Sequence, residues 1–142
     1  MILTLAFIAC VIFSILGLWH WYWALGGSLG KAAAIPEVNG SPVFMPSALG
    51  TAFVGLALIS FAALIAGASG LLEMPIPRPV LGGFSYGLAI LMLVRAVGEF
   101  RLVGFFKRVR GSEFAQWDTW VYSPLCLFLS IVSFSVAIHN VA

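Results

Sequence analysis

The chain has 142 residues, of which 62% are hydrophobic and only 8% charged. Soluble domains carry about 25% charged and about 45–50% apolar residues, so a water-soluble fold is excluded and an integral membrane protein is expected. A net charge of +2 is too small to suggest nucleic acid, and no polar stretch is long enough for a separate soluble domain. That leaves lipids, small molecules, ions and other membrane proteins as partners.

The first predicted span runs from about Ile2 to Leu25 and ends at Gly26-Gly27. Met1 to Leu18 has the apolar character of a signal-peptide core but lacks a basic n-region, so it is expected to stay as a helix. Ser28 to Pro46 forms an interfacial loop, in which Asn39-Gly40 between short apolar stretches favours a tight turn. Pro46 then opens the second span, about 47–69, at a position that needs no amide hydrogen. Glu73 to Pro79, with three alternating prolines, makes a short rigid connection.

The third span covers about 80–100. Arg101 to Gly111 is a basic loop holding Arg101, Lys107, Arg108 and Arg110. Ser112 is placed to cap a short amphipathic helix from Glu113 to Tyr122, with Phe114, Trp117 and Val121 on one face. Pro124 either kinks this helix into the fourth span, about 123–141, or starts that span afresh. Each apolar stretch suffices for a hydrocarbon core of about 30 Å, which takes about 20 helical residues. The fold class is therefore an all-α, four-helix membrane bundle forming a single domain over 1–142.

Basic residues set the orientation. Lys31, Arg101, Lys107, Arg108 and Arg110 lie in the loops after the first and third spans, and the opposite side has only Arg78. The positive-inside rule places the basic loops in the cytoplasm of a bacterial inner membrane and both termini outside. The run Lys107-Arg108-Val109-Arg110 is expected to meet anionic lipid headgroups.

Small residues line the spans: Thr51, Gly55, Ala62, Ala66 and Ser69; Gly83, Gly87, Val94 and Gly98; Cys126, Ser130, Ser133 and Ala137. Such stripes let helix backbones approach in lipid. They serve either the bundle alone or also a homo-oligomer or partner subunit. Cys10 and Cys126 lie far apart without a CxxC motif and read as small buried residues.

The polar residues gather at one level. His20, Arg95, Glu99, Asp118 and Tyr122 all fall near the cytoplasmic ends of their spans. His20 shares a face with Phe13, Gly17, Ala24 and Gly27. It is either satisfied by a carbonyl or carboxylate, or available for proton transfer or ligand binding. The tryptophans around it read as an interfacial belt. Arg95 and Glu99 are four apart and can pair, or Arg95 can hold an anionic group. Asp118 can cap the fourth span or hold Arg95 or Arg101. In an unbroken helix Asp118, Tyr122 and Cys126 share a face. His139 lies at the opposite end of the fourth span, which excludes a haem shared with His20. No catalytic motif is present, five acids leave little room for a multi-carboxylate metal site, and no cofactor is indicated.

The stretches His20-Trp21-Tyr22-Trp23-Ala24-Leu25-Gly26-Gly27, Arg95-Ala96-Val97-Gly98-Glu99-Phe100-Arg101-Leu102-Val103-Gly104-Phe105-Phe106-Lys107 and Asp118-Thr119-Trp120-Val121-Tyr122-Ser123-Pro124-Leu125-Cys126 resemble a family of small bacterial membrane proteins. It is catalogued as domain of unknown function 3995. Glu99 stands where many relatives are expected to carry aspartate. The resemblance implies a four-helix membrane protein and a shared polar cluster, and supplies no reaction. The residues lead to a non-enzymatic membrane protein, an accessory subunit of a larger complex. The alternative is a small-molecule or lipid site, transporting or enzymatic, built from the same cluster.

Overall fold

The computed structural model describes residues 1–141. Its helices are α1 (Ile2–Ala24), α2 (Lys31–Ala34), α3 (Ala48–Ser69), α4 (Arg78–Val97), α5 (Glu113–Trp117) and α6 (Ser123–Val141). A π turn over Asp118–Tyr122 joins α5 to α6, so Glu113–Asn140 runs as one long apolar helix. With α1, α3 and α4 this makes four helices long and apolar enough to cross a membrane.

Local chemistry explains most boundaries. Ser47 caps α3 by accepting the Gly50 amide at 3.0 Å, so Pro46 precedes the cap instead of opening the helix. Gly70, with φ of 83°, closes α3 in the left-handed region. In the loop after α1, Glu37–Val38 (β1) and Ser41–Pro42 (β2) pair antiparallel. Asn39 and Gly40 have φ of 54° and 76°, the two positive values that a type I′ hairpin turn requires.

Two expectations change at the other end of the chain. α4 stops at Val97, short of Phe100, because Gly98 turns the chain with φ of 84°. Pro124 does not restart the fourth helix, which runs unbroken through it. In a regular helix its ring would crowd the carbonyl four residues back. The wider π turn just before it relieves this, and the Ser123 amide reaches five residues back to the Asp118 carbonyl.

The helices pack chiefly as two pairs, α1 with α3 and α4 with α6, joined by slimmer α3–α4 and α1–α6 contacts. Gly17 and Gly55 make the close approach in the first pair: a Cβ at Gly55 would lie 2.9 Å from the Gly17 carbonyl and 2.5 Å from the Trp21 ring. The Trp21 indole donates to the Ala52 carbonyl at 3.2 Å. In the second pair Ser130 donates to the Ala89 carbonyl at 2.7 Å. Phe13, Ile65, Leu129, Val132 and Val136 fill the centre. Away from the basic loops, Asn140 reaches across to the Ala68 carbonyl at 2.7 Å.

The outward faces are large and apolar, among them Phe53, Phe84, Ile90, Val94 and Trp120. The amphipathic reading of the segment before α6 is corrected on this ground. Phe114 is buried, but Trp117 and Val121 are exposed; the buried neighbours are Ala115 and Asp118. In a bilayer no hydrophobic force drives an apolar side chain inward, so Trp117 and Val121 face outward while a small residue and a hydrogen-bonded carboxylate pack inward. Cys10 and Cys126 are half-buried free thiols, less enclosed than expected; Cys10 donates to the Ala62 carbonyl at 3.3 Å.

The glycines separate by environment. Gly55→Ala is expected to destabilise the protein by about 1–3 kcal/mol, since the added methyl overpacks the α1–α3 crossing. Gly87→Ala, where a Cβ meets nothing within 4 Å, is expected to be neutral or to stabilise by up to about 1 kcal/mol through reduced backbone freedom. Unfolding midpoints of the two variants in the same detergent separate these outcomes.

Candidate functional site: a buried carboxylate lock

Asp118 is fully buried at the start of the π turn. Its Oδ1 accepts from Arg95 Nη2 at 2.8 Å. Its Oδ2 accepts from the Gly104 amide at 2.7 Å and from Lys107 Nζ at 3.0 Å. One carboxylate therefore ties together α4, the loop after it and the fourth helix.

The lysine is as enclosed as the acid, its side chain 1% exposed. Its three ammonium hydrogens have three acceptors: Asp118 Oδ2, the Gly104 carbonyl at 3.1 Å and Thr119 Oγ1 at 2.6 Å. Thr119 Oγ1 in turn donates to the Ala115 carbonyl at 2.9 Å. Desolvating an ion costs several kcal/mol, and only good geometry with every remaining hydrogen-bonding group satisfied offsets it. The cluster meets that condition at Asp118 and Lys107. Arg95 stays about one-third exposed, at 32%.

Two glycines make the loop possible. Gly98 and Gly104 have φ of 84° and 91°, and each would place a Cβ against the other's backbone. At Gly104 that Cβ would fall 2.3 Å from the Val97 carbonyl oxygen. Their contact folds 98–104 back onto the end of α4, where the Phe105 amide donates to the Ala96 carbonyl at 2.9 Å. This return presents the Gly104 amide and Lys107 to Asp118.

The cluster expected from the sequence is divided. Arg95 and Asp118 pair, but the Arg95–Glu99 pair does not form. Gly98 ends the helical register before Glu99, whose exposed carboxylate instead accepts the Leu102 amide at 2.5 Å. Lys107 is corrected from a lipid-facing residue to the buried partner of Asp118, while Arg108 and Arg110 stay exposed. Asp118 holds Arg95 and Lys107 and forms no ion pair with Arg101 among the described residues.

Tyr122 donates to the Ala33 carbonyl of α2 at 3.1 Å, so it fastens the first interfacial loop to the fourth helix. His20 stands apart, its Nδ1 2.7 Å from the Leu16 carbonyl of its own helix, and borders a cavity between α1 and α3. His139 likewise turns to its own helix, 3.0 Å from the Ser135 carbonyl. Among the described residues no group of three or more His, Cys, Asp or Glu side chains could hold a metal ion.

Lys107 escaped the sequence reading because it heads a basic run whose other arginines are surface residues. A usable signal was present: two diphenylalanine-flanking features, Gly104 and Lys107, bracket Phe105-Phe106 in an apolar turn where a solvated lysine is unexpected. The pair Gly98 and Gly104 was a second signal, marking a close backbone approach.

A four-helix, multi-pass membrane protein closed at one end by a buried carboxylate lock is the class that fold and site define. The model of the family described as protein of unknown function (DUF3995) matches residues 13–133, and the chain belongs to that family. No curated protein and no solved structure matches it.

Removing the acid strands two cations. Asp118→Asn is expected to destabilise the protein by about 3–5 kcal/mol, the cost of leaving buried charge uncompensated. Glu99→Gln, at an exposed carboxylate, is expected to cost under about 1 kcal/mol. Thermal unfolding in detergent, with Lys107→Met and Arg108→Met as a second contrast in the same direction, checks the assignment.

Proposed function

We propose that this chain is a non-enzymatic accessory subunit of a larger assembly in the bacterial inner membrane, with its basic end in the cytoplasm and both termini outside. The observation that carries the reading is a bare glycine ridge on α4. Gly83 and Gly87 are exposed, and a Cβ built on either meets nothing within 4 Å. Gly17 and Gly55, by contrast, are consumed by the α1–α3 crossing. The buried face of α4 is formed by Leu81, Gly82, Ser85, Leu88, Ala89, Met92 and Ala96, so the bundle leaves its GxxxG ridge facing outward, beside Ile90 and Val94. In lipid a helix gains from close backbone approach, and small residues permit it. A partner helix, from another subunit or a second copy, fits this ridge.

The lock supports the same reading. Every oxygen of Asp118 is engaged and water-excluded, so its chemistry is spent on holding helix ends together. The alternative, one ligand site built from His20, Arg95, Glu99, Asp118 and Tyr122, has weaker support because these side chains serve four separate sets of partners. The exposed Arg101, Arg108 and Arg110 suit contact with anionic headgroups at the cytoplasmic surface.

Purification from native membranes in mild detergent, followed by native mass spectrometry, tests the proposal. A stoichiometric assembly is expected, and Gly83→Leu with Gly87→Leu is expected to release the chain from it while the monomer's unfolding midpoint is retained. A wild-type protein that runs as a solitary species overturns the reading.

A further inference from the structure

The cavity beside His20 has a chemistry that the lock does not use. It lies between the C-terminal turns of α1, α2 and the first turns of α3, with a volume of about 400 Å³. That falls within the range of about 300–1,000 Å³ typical of small-ligand sites. Trp23, Phe44 and Val54 give it an apolar wall, and its two ionisable side chains, His20 and Lys31, are both basic. No acid lines it.

The polar groups on the wall divide into engaged and open ones. Ser47 Oγ is taken by the Gly50 amide, and the Thr51 hydroxyl donates to the Ser47 carbonyl. A carbonyl only accepts, so the Leu16 carbonyl fixes the proton of His20 on Nδ1 and leaves Nε2 as the ring's other polar atom. The ring is held edge-on to Trp23, with centroids 5.1 Å apart. Lys31 forms no ion pair among the described residues. The first turn of α3 also borders the cavity, and the positive end of its dipole adds to the same sign.

The walls are braced. Trp23 donates to the Leu29 carbonyl at 2.8 Å, and Tyr122 holds the Ala33 carbonyl. These two bonds fasten the segment that carries Lys31 from both sides. The cavity is thus a supported recess at the end of two membrane-spanning helices, basic at its rim and apolar along its wall.

We infer that this recess binds the head of an anionic amphiphile. Lys31 would take its carboxylate or phosphate, His20 Nε2 would accept from a headgroup hydroxyl or acid proton, and the first methylenes of its chain would lie along Trp23, Phe44 and Val54. Two sources carry that chemistry, an anionic phospholipid of the bilayer and a free fatty acid. The inference is independent of the docking ridge on α4, which lies on a different helix.

Bromine quenching of tryptophan tests it on the full chain, delipidated and reconstituted in phosphatidylcholine nanodiscs. One sample is titrated with brominated phosphatidylglycerol and another with dibromostearate. Saturable quenching by at least one probe is expected, absent from the difference signal of a Trp23→Phe variant. Saturation by the first probe identifies a bilayer lipid, and saturation by the second a free fatty acid. Lys31→Gln is expected to weaken binding about tenfold, the loss of one charge-assisted hydrogen bond, while Arg108→Gln leaves it unchanged. Val54→Phe, which fills the recess without changing charge or adding a tryptophan, is expected to abolish saturation, and it decides the matter should Lys31→Gln fail to fold. Quenching that is non-saturable, or that Val54→Phe leaves intact, overturns the inference. Retention of binding by the Gly83→Leu, Gly87→Leu protein separates this result from the docking proposal.

Discussion

Among the described residues Asp118 is the only buried acid, and the arrangement of the basic end depends on it. Its two oxygens join a side chain of α4, a backbone amide of the following loop and a lysine ammonium. A single charge in a water-poor setting would be costly; two cations and a peptide N–H make it a crosslink among three segments. The loop from 98 to 111 has little regular structure, so it relies on this anchor and on the Gly98–Gly104 contact. The π turn has a matching role, because it accommodates Pro124 within the helix that delivers Asp118.

The rest of the basic end follows from that anchor. One turn beyond Asp118, Tyr122 reaches to Ala33, which ties the loop after α1 to the same helix. The recess beside His20 is shaped by that loop, so the lock and the recess are mechanically connected though chemically distinct. The first holds charge closed within protein, and the second leaves basic groups open at an apolar wall. One interior serine adds a bond farther along the helices: Ser130 donates across to α4. Gly83 and Gly87 stay uncovered, since the inward face of α4 is built from a different set of residues.

Legibility in the sequence tracked the range of the interaction. The Asn39-Gly40 turn and the Ser112 cap, which accepts the Ala115 amide at 3.1 Å, were readable because neighbouring residues decide them. Arg95 and Asp118 were readable as candidates because charge at the end of an apolar span is conspicuous. The Arg95–Glu99 pairing failed because it assumed that helix geometry continued through Gly98. Lys107 failed because a basic run after a span has a ready explanation in the positive-inside rule, which concerns loops and says nothing of a single side chain folded back.

Composition and span length alone determined that this is a multi-pass helical membrane protein, because lipid admits only helices and closed β-barrels, and continuous apolar runs of about 20 residues suit the helix. The sequence also determined which end of the molecule carries the unusual polar groups. Only the tertiary structure decided which of them meet. Pairing depends on where a helix stops, how two glycines fold a loop back and which face of each helix turns inward. Those are properties of contacts between segments distant in the chain, and the local pattern of residues does not encode them one position at a time.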